Sequence, residues 1–134
     1  MDWNNTTLKE LAASQLTWMV DVKGDCLSIT SDEGIEAYVY VGDRQIIAET
    51  TLFPAALVAD PVKLNDLILR THNLLPLTTI CISTIGGEEF YIAFGSLSVD
   101  SDGSIIVEEI ETLFANVGEF LGLYKDHLKE EAAA

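Results

Sequence analysis

Basic residues are scarce in this chain: 7 Lys and Arg stand against 22 Asp and Glu among 134 residues, a formal net charge of −15. Nucleic-acid binding draws on Lys and Arg to displace counterions from phosphates, and here those residues are scattered singly. Between Thr71 and Tyr124 there is none, while Glu88, Glu89, Asp100, Asp102, Glu108, Glu109, Glu111 and Glu119 all fall in that stretch. Such a field repels DNA, RNA and anionic lipid headgroups and steers basic partners inward. Cysteine is nearly absent too. Cys26 and Cys81 each sit in a strand-like context without a basic neighbour to lower a thiol pKa, so reduced, packed thiols in a cytoplasmic protein are expected. No N-terminal segment joins basic residues to an apolar run, so a secretory signal is not expected. The longest stretch free of charged side chains, Thr71 to Gly87, is broken by His72, Asn73, Pro76 and several Thr, so an integral membrane protein is not expected.

What is present is an ordinary globular complement, 49% hydrophobic residues, enough for one domain over residues 1–134 with a core that needs neither disulfide nor metal. Thr7 and Glu10 have the spacing of a capping box. Leu8, Leu11, Ala12, Leu16 and Met19 continue at helical spacing, predicting a first helix of about four turns that ends before Gly24. Strand patterns follow at Cys26–Ser31, Ile35–Val41 and Arg44–Phe53, with turns at Asp32-Glu33-Gly34 and Gly42-Asp43. These short connections call for antiparallel pairing. Asp60-Pro61 opens a second helix with Val62, Leu64, Leu67, Ile68 and Leu74 on its buried side and Pro76 at its end. Thr78–Ile85 and Glu89–Gly95 are two further strands around the hairpin signal Gly86-Gly87. A third helix runs from about Ser104 through Ile106, Ile110, Leu113, Val117, Leu121, Tyr124 and Leu128, and residues 130–134 form a fraying tail. The element order α-β-β-β-α-β-β-α predicts an α+β domain with an antiparallel five-stranded sheet and packed helices.

Chemistry is harder to find. Asp100-Ser101-Asp102-Gly103 with Glu109 places Asp100, Asp102 and Glu109 at the third, fifth and twelfth positions of a calcium loop. The first position is Ser98, which has no carboxylate, and the preceding segment reads as extended; an ordinary capped turn accounts for the same residues. His72 and His127 lie near helix ends, outside any zinc-ligand spacing. No nucleophile elbow or phosphate-cradling glycine loop occurs. No cofactor and no catalytic residue are therefore assigned.

The strand faces say more. Ile35, Ala37, Val39 and Val41 alternate with Glu36, Tyr38 and Tyr40, and Phe90, Ile92 and Phe94 alternate with Glu89, Tyr91 and Ala93. One face is the core side. The other is expected to carry Tyr38, Tyr40 and Tyr91 with Cys81 and Ile85, and tyrosine is enriched in interfaces. Gly118 and Gly122, four apart on the last helix, suit close packing against a neighbour. The expected sites are thus partner-binding ones: Tyr38, Tyr40, Tyr91, Gly118 and Gly122, with a protein partner or a second copy forming a homodimer. A calcium-responsive module using Asp100 to Glu109 is the alternative.

Gly95-Ser96-Leu97-Ser98 followed by Glu109-Ile110-Glu111-Thr112-Leu113-Phe114-Ala115-Asn116-Val117 resembles the signature of the YjfI-like bacterial proteins, small and acidic, with no assigned activity. Trp3 and Leu74-Leu75-Pro76 are similar as well. The resemblance implies no catalytic residues. Members of that family are often encoded beside relatives of phage-shock protein A, which implies a partner of that kind and a link to envelope stress. The element order separately resembles type III secretion chaperones, small acidic proteins, usually dimeric, that bind extended segments of other proteins.

Overall fold

The computed structural model describes residues 3–74 and 77–129. Helix α1 spans Asn5–Ala13, followed by strands β1 Met19–Lys23, β2 Cys26–Thr30, β3 Glu36–Val41 and β4 Gln45–Pro54. Helix α2 spans Pro61–Thr71, strands β5 and β6 span Thr79–Ile85 and Glu88–Ser98, and helix α3 spans Gly103–Tyr124. The strands form one antiparallel sheet in the order β1-β2-β3-β4-β6-β5, and the three helices pack on one of its sides around a common core.

The sheet has six strands, one more than the pattern predicts. The additional strand is β1, read from sequence as the last turns of the first helix. Helix α1 starts earlier and stops sooner. Its cap is Asn4, whose Oδ1 accepts from the Thr7 amide at 3.0 Å while Thr7 Oγ1 accepts from the Asn4 amide at 3.0 Å. Thr7 is thus the far member of the capping box. Leu8 and Ala12 are buried, whereas Leu16 and Met19 are strongly exposed. Beyond Ser14 the chain turns and Trp18 docks edge-on against Phe114, centroids 6.0 Å apart. Gly24, at φ +60°, then makes the tight Lys23–Cys26 hairpin that lays β1 along β2.

The other elements follow their local signals. Asp60 accepts from the Lys63 amide at 3.2 Å and Pro61 opens α2, whose Leu64 and Ile68 are buried. Val62 and Leu74, expected on that buried side, are exposed. Pro76 and residues 130–134 lie outside the described residues. Gly86 and Gly87 both have positive φ and join β5 to β6 with Ile85 opposite Glu88. In α3, Ile106, Ile110, Leu113, Val117, Phe120 and Tyr124 are almost fully buried, each worth about 1.5–3 kcal/mol of apolar transfer. Leu121, expected among them, is 38% exposed. Leu128 bridges back to Val58 beyond the helix.

Partners across a ladder share a face, so the registers fix both sides of the sheet. Ile46 opposite Leu97, Ala48 opposite Gly95, Thr50 opposite Ala93 and Phe53 opposite Tyr91 form the helix side in β4 and β6. A bulge between Thr51 and Phe53 absorbs Leu52 and keeps Phe53 facing Tyr91. Leu27, Ile29, Ala37 and Val39 extend that side, with Val20 of β1 and Ile80 of β5 packed against it. Among the described residues no helix lies over the reverse face.

Candidate functional site

The uncovered face is built from alternate residues of adjacent strands. Tyr38 lies opposite Glu49 and Tyr40 opposite Ile47, while β6 brings Phe94 beside Glu49 and Ile92 beside Thr51. Across β6, Cys81 faces Ile92 and Ser83 faces Phe90. Ile92 is only 2% exposed although no helix covers it, because its neighbours along and across the sheet close over it. Tyr40 and Ile85 remain 39% and 47% exposed.

Four of the five residues expected on this face meet here. Tyr38, Tyr40 and Cys81 share this face, as does Ile85 at its rim. Tyr91 does not. Its side chain is 1% exposed on the helix side, its ring 5.1 Å from Phe53 and its hydroxyl donating to Asn65 Oδ1. The reason is steric. Both faces of β6 are apolar, and the smaller set, Tyr91, Ala93 and Gly95, fits beneath a helix, leaving the bulkier Phe90, Ile92 and Phe94 on the open side. The alternation was visible in the sequence; which set α3 covers was not. The open face is more apolar as a result.

One edge of this face is polar. Glu36 accepts from the Tyr38 hydroxyl at 2.9 Å and from Ser28 Oγ, and Lys23 Nζ lies 3.7 Å from its Oε2. The Ser28 and Tyr38 hydroxyls hold the Glu36 carboxyl below its usual range, and the same bond raises Tyr38. Burial, with the Glu49 and Cys26 side chains nearby, pushes Tyr40 up to about 12. Burial and then Glu49 raise the Cys81 thiol, the opposite of nucleophile activation. Cys26 and Cys81 sit on strands four ladder spacings apart, about 19 Å, which excludes a disulfide between them.

Gly118 and Gly122 lie on the outward side of α3, where an added Cβ meets nothing within 4 Å at either position. Among the described residues they therefore pack against no neighbour. Gly118 lines a groove of about 460 Å³ beside the β2–β3 turn.

The calcium reading is not assembled. Asp102 is the N-cap of α3, so the loop becomes helix at Gly103, and Glu109 lies six residues along it, a rise of about 9 Å. Its carboxylate turns onto the sheet over Gly95. Asp100 donates its amide to Ser98 Oγ at 3.1 Å. Among the described residues no group of three or more His, Cys, Asp or Glu side chains could hold a metal ion. His72 Nε2 accepts from the Ile80 amide at 3.0 Å, fastening the end of α2 to the start of β5. No helix among the described residues is long and apolar enough to cross a membrane.

Residues 3–128 match the family described as an uncharacterized protein conserved in bacteria, DUF2170. The chain belongs to that family. It is similar to the uncharacterized protein YjfI of Escherichia coli K12, 30% identical over 120 residues that cover 87% of this chain and 90% of YjfI. The resemblance read from Gly95–Ser98 and Glu109–Val117 thus holds over most of the sequence. Among solved structures the fold is similar to YbjN from E. coli, with a TM-score of 0.65 at 15% identity over 90% of this chain and 92% of that one. It is also similar to a chain of the ExsC–ExsE complex, with a TM-score of 0.61 at 11% identity over 90% and 94%. The chaperone-like architecture expected from the element order is therefore shared, as a fold.

Proposed function

We propose that this member of the DUF2170 family is a non-enzymatic protein-binding module, chaperone- or adaptor-like, that acts in the cytoplasm by taking a segment of another protein on the open face of its sheet. The observation that carries this reading is the apolar strip of Tyr40, Ile47, Phe90 and Phe94 around the buried Ile92, with no helix among the described residues over it. Contiguous apolar surface of this kind marks interaction sites. The likeness to a chain crystallised as part of a two-protein complex supports it. A relative of phage-shock protein A is the first partner to test, which would link the module to envelope stress; a second copy is the other occupant the face could take.

The test compares wild type with Tyr40→Ser/Ile85→Ser, two exposed positions whose change leaves the core intact. Tagged proteins are incubated with the purified phage-shock protein A relative and, separately, with native cytosol, and their own oligomeric state is read by light scattering. A partner retained by wild type and lost by the variant upholds the reading. Identical retention by both, or none by either, overturns it.

A further inference from the structure

A second surface, separate from the open sheet face, lies where α3 passes the turn between β2 and β3. It is a groove of about 460 Å³ between the outward side of α3 and the segment Ser31 to Ile35. Its lining is mixed: the apolar side chains Trp18 and Phe114, in edge-to-face contact and largely buried, with Ile35 and Ala115, stand beside the polar Thr17 and Ser31. Its charged members are all of one sign, Asp32 and Glu33 on the turn, Glu111 and Glu119 on the helix, and no Lys or Arg lines it. The described ion pairs are Lys23–Glu36 and Arg70–Asp66, so among the described residues none of these four carboxylates is in an ion pair.

The helix wall has a regular design. Glu111, Ala115 and Glu119 recur every four residues along one side of α3, with a rise of about 12 Å along the helix axis from Glu111 to Glu119. Between them Ala115 and Gly118 present almost no side chain, and a Cβ at Gly118 meets nothing within 4 Å. The wall is therefore low at its middle and anionic at both ends. A backbone can approach the middle while its side chains reach the ends.

We propose that this groove receives a basic segment of another protein, whose paired Lys or Arg side chains engage Glu111 and Glu119 while their aliphatic stems lie against Ile35 and Ala115. The argument is charge complementarity joined to an apolar concavity. No ion pair among the described residues neutralises the acidic rim, and the groove gives a cationic side chain both a counter-charge and apolar side chains for its stem. The site stands whether or not the open sheet face docks a partner.

The full chain is titrated with hexa-arginine and with its uncharged isostere hexa-citrulline, following the indole N–H signal of Trp18, assigned with Trp18→Phe. The binding constants of Glu111→Gln/Glu119→Gln are compared with those of Glu88→Gln/Glu89→Gln, which removes the same charge from the β5–β6 hairpin. The expected result is a shift of the Trp18 signal by hexa-arginine alone, with Kd weakened about fivefold or more by the groove pair and less than about twofold by the hairpin pair. Equal weakening by both pairs would reduce the effect to overall acidity and overturn the proposal. So would an unmoved Trp18 signal, or a salt-sensitive dimer of the chain alone that the groove pair abolishes, which would make a second copy the occupant.

Discussion

The carboxylate of Glu109 occupies the space a side chain on residue 95 would need: a Cβ built on Gly95 would overlap Glu109 Oε1 and lie 3.2 Å from the Leu77 carbonyl oxygen. These residues come from the two stretches that carry the family resemblance, and the fold brings them into contact. Glycine here is a packing requirement, since Gly95 has no positive φ. Gly95→Ala is expected to destabilise the chain by about 1–3 kcal/mol. Adding Glu109→Ala should recover much of that loss, while the Leu77 carbonyl keeps the recovery incomplete. A double-mutant cycle by urea unfolding measures the coupling, and strict additivity would contradict the contact.

Two carboxylates give stability opposite pH dependences. Burial, and then Glu108, raise Glu109 above its ordinary 4.5, so the folded chain holds this proton more tightly than the unfolded one. Its contribution is complete below that ordinary value and is lost as pH rises through the folded one. Glu36 is lowered, first by Ser28 and then by Tyr38, so its contribution is present above 4.5 and is lost as pH falls through the folded value. Denaturation measured from about pH 3 to 7 should show Glu109→Gln removing the decline on the rising side. Ser28→Ala should shrink the loss on the acid side, and an unchanged profile in either variant would contradict its assignment.

Tyr40 and Tyr91 should respond very differently to truncation. Tyr91 is fully buried against Phe53 and bonded to Asn65, so Tyr91→Ala is expected to cost about 3–5 kcal/mol and Tyr91→Phe about 1 kcal/mol. Tyr40 is 39% exposed, and Tyr40→Ser should cost no more than about 1 kcal/mol. Chemical denaturation of the three variants checks the order. A Tyr91→Ala variant as stable as Tyr40→Ser would place Tyr91 outside the core.

That contrast marks where the sequence was legible. Strand β3 alternates apolar with polar residues, so Ala37 and Val39 were assigned inward and Tyr38 and Tyr40 outward correctly. Strand β6 is apolar on both faces, and period two cannot choose between them. The deciding fact is long-range: α3 lies over Gly95. The missing strand has a similar cause. Leu16 and Met19 extend the helical spacing of Leu8 and Ala12 by coincidence, whereas the pairing of β1 with β2 depends on a turn at Gly24 that a helix pattern does not reveal. The acid-rimmed groove was out of reach for the same reason, since Asp32 and Glu111 are far apart in the chain.

Gly118 and Gly122 offer a last prediction that separates stability from function. Both are interior to α3, both have open space where a Cβ would go, and neither has a positive φ. Helix propensity then dominates, and each Gly→Ala change should stabilise the chain by up to about 1 kcal/mol, read as a rise in Tm. A pair of glycines that weakens a long helix without easing any contact among the described residues is better explained by something outside them. The bulkier Gly118→Leu should therefore leave the fold as stable as Gly118→Ala yet obstruct the groove, lowering hexa-arginine affinity while Gly122→Leu, beyond the groove, leaves it unchanged. Loss of stability in the Ala variants would instead show that these positions serve the fold.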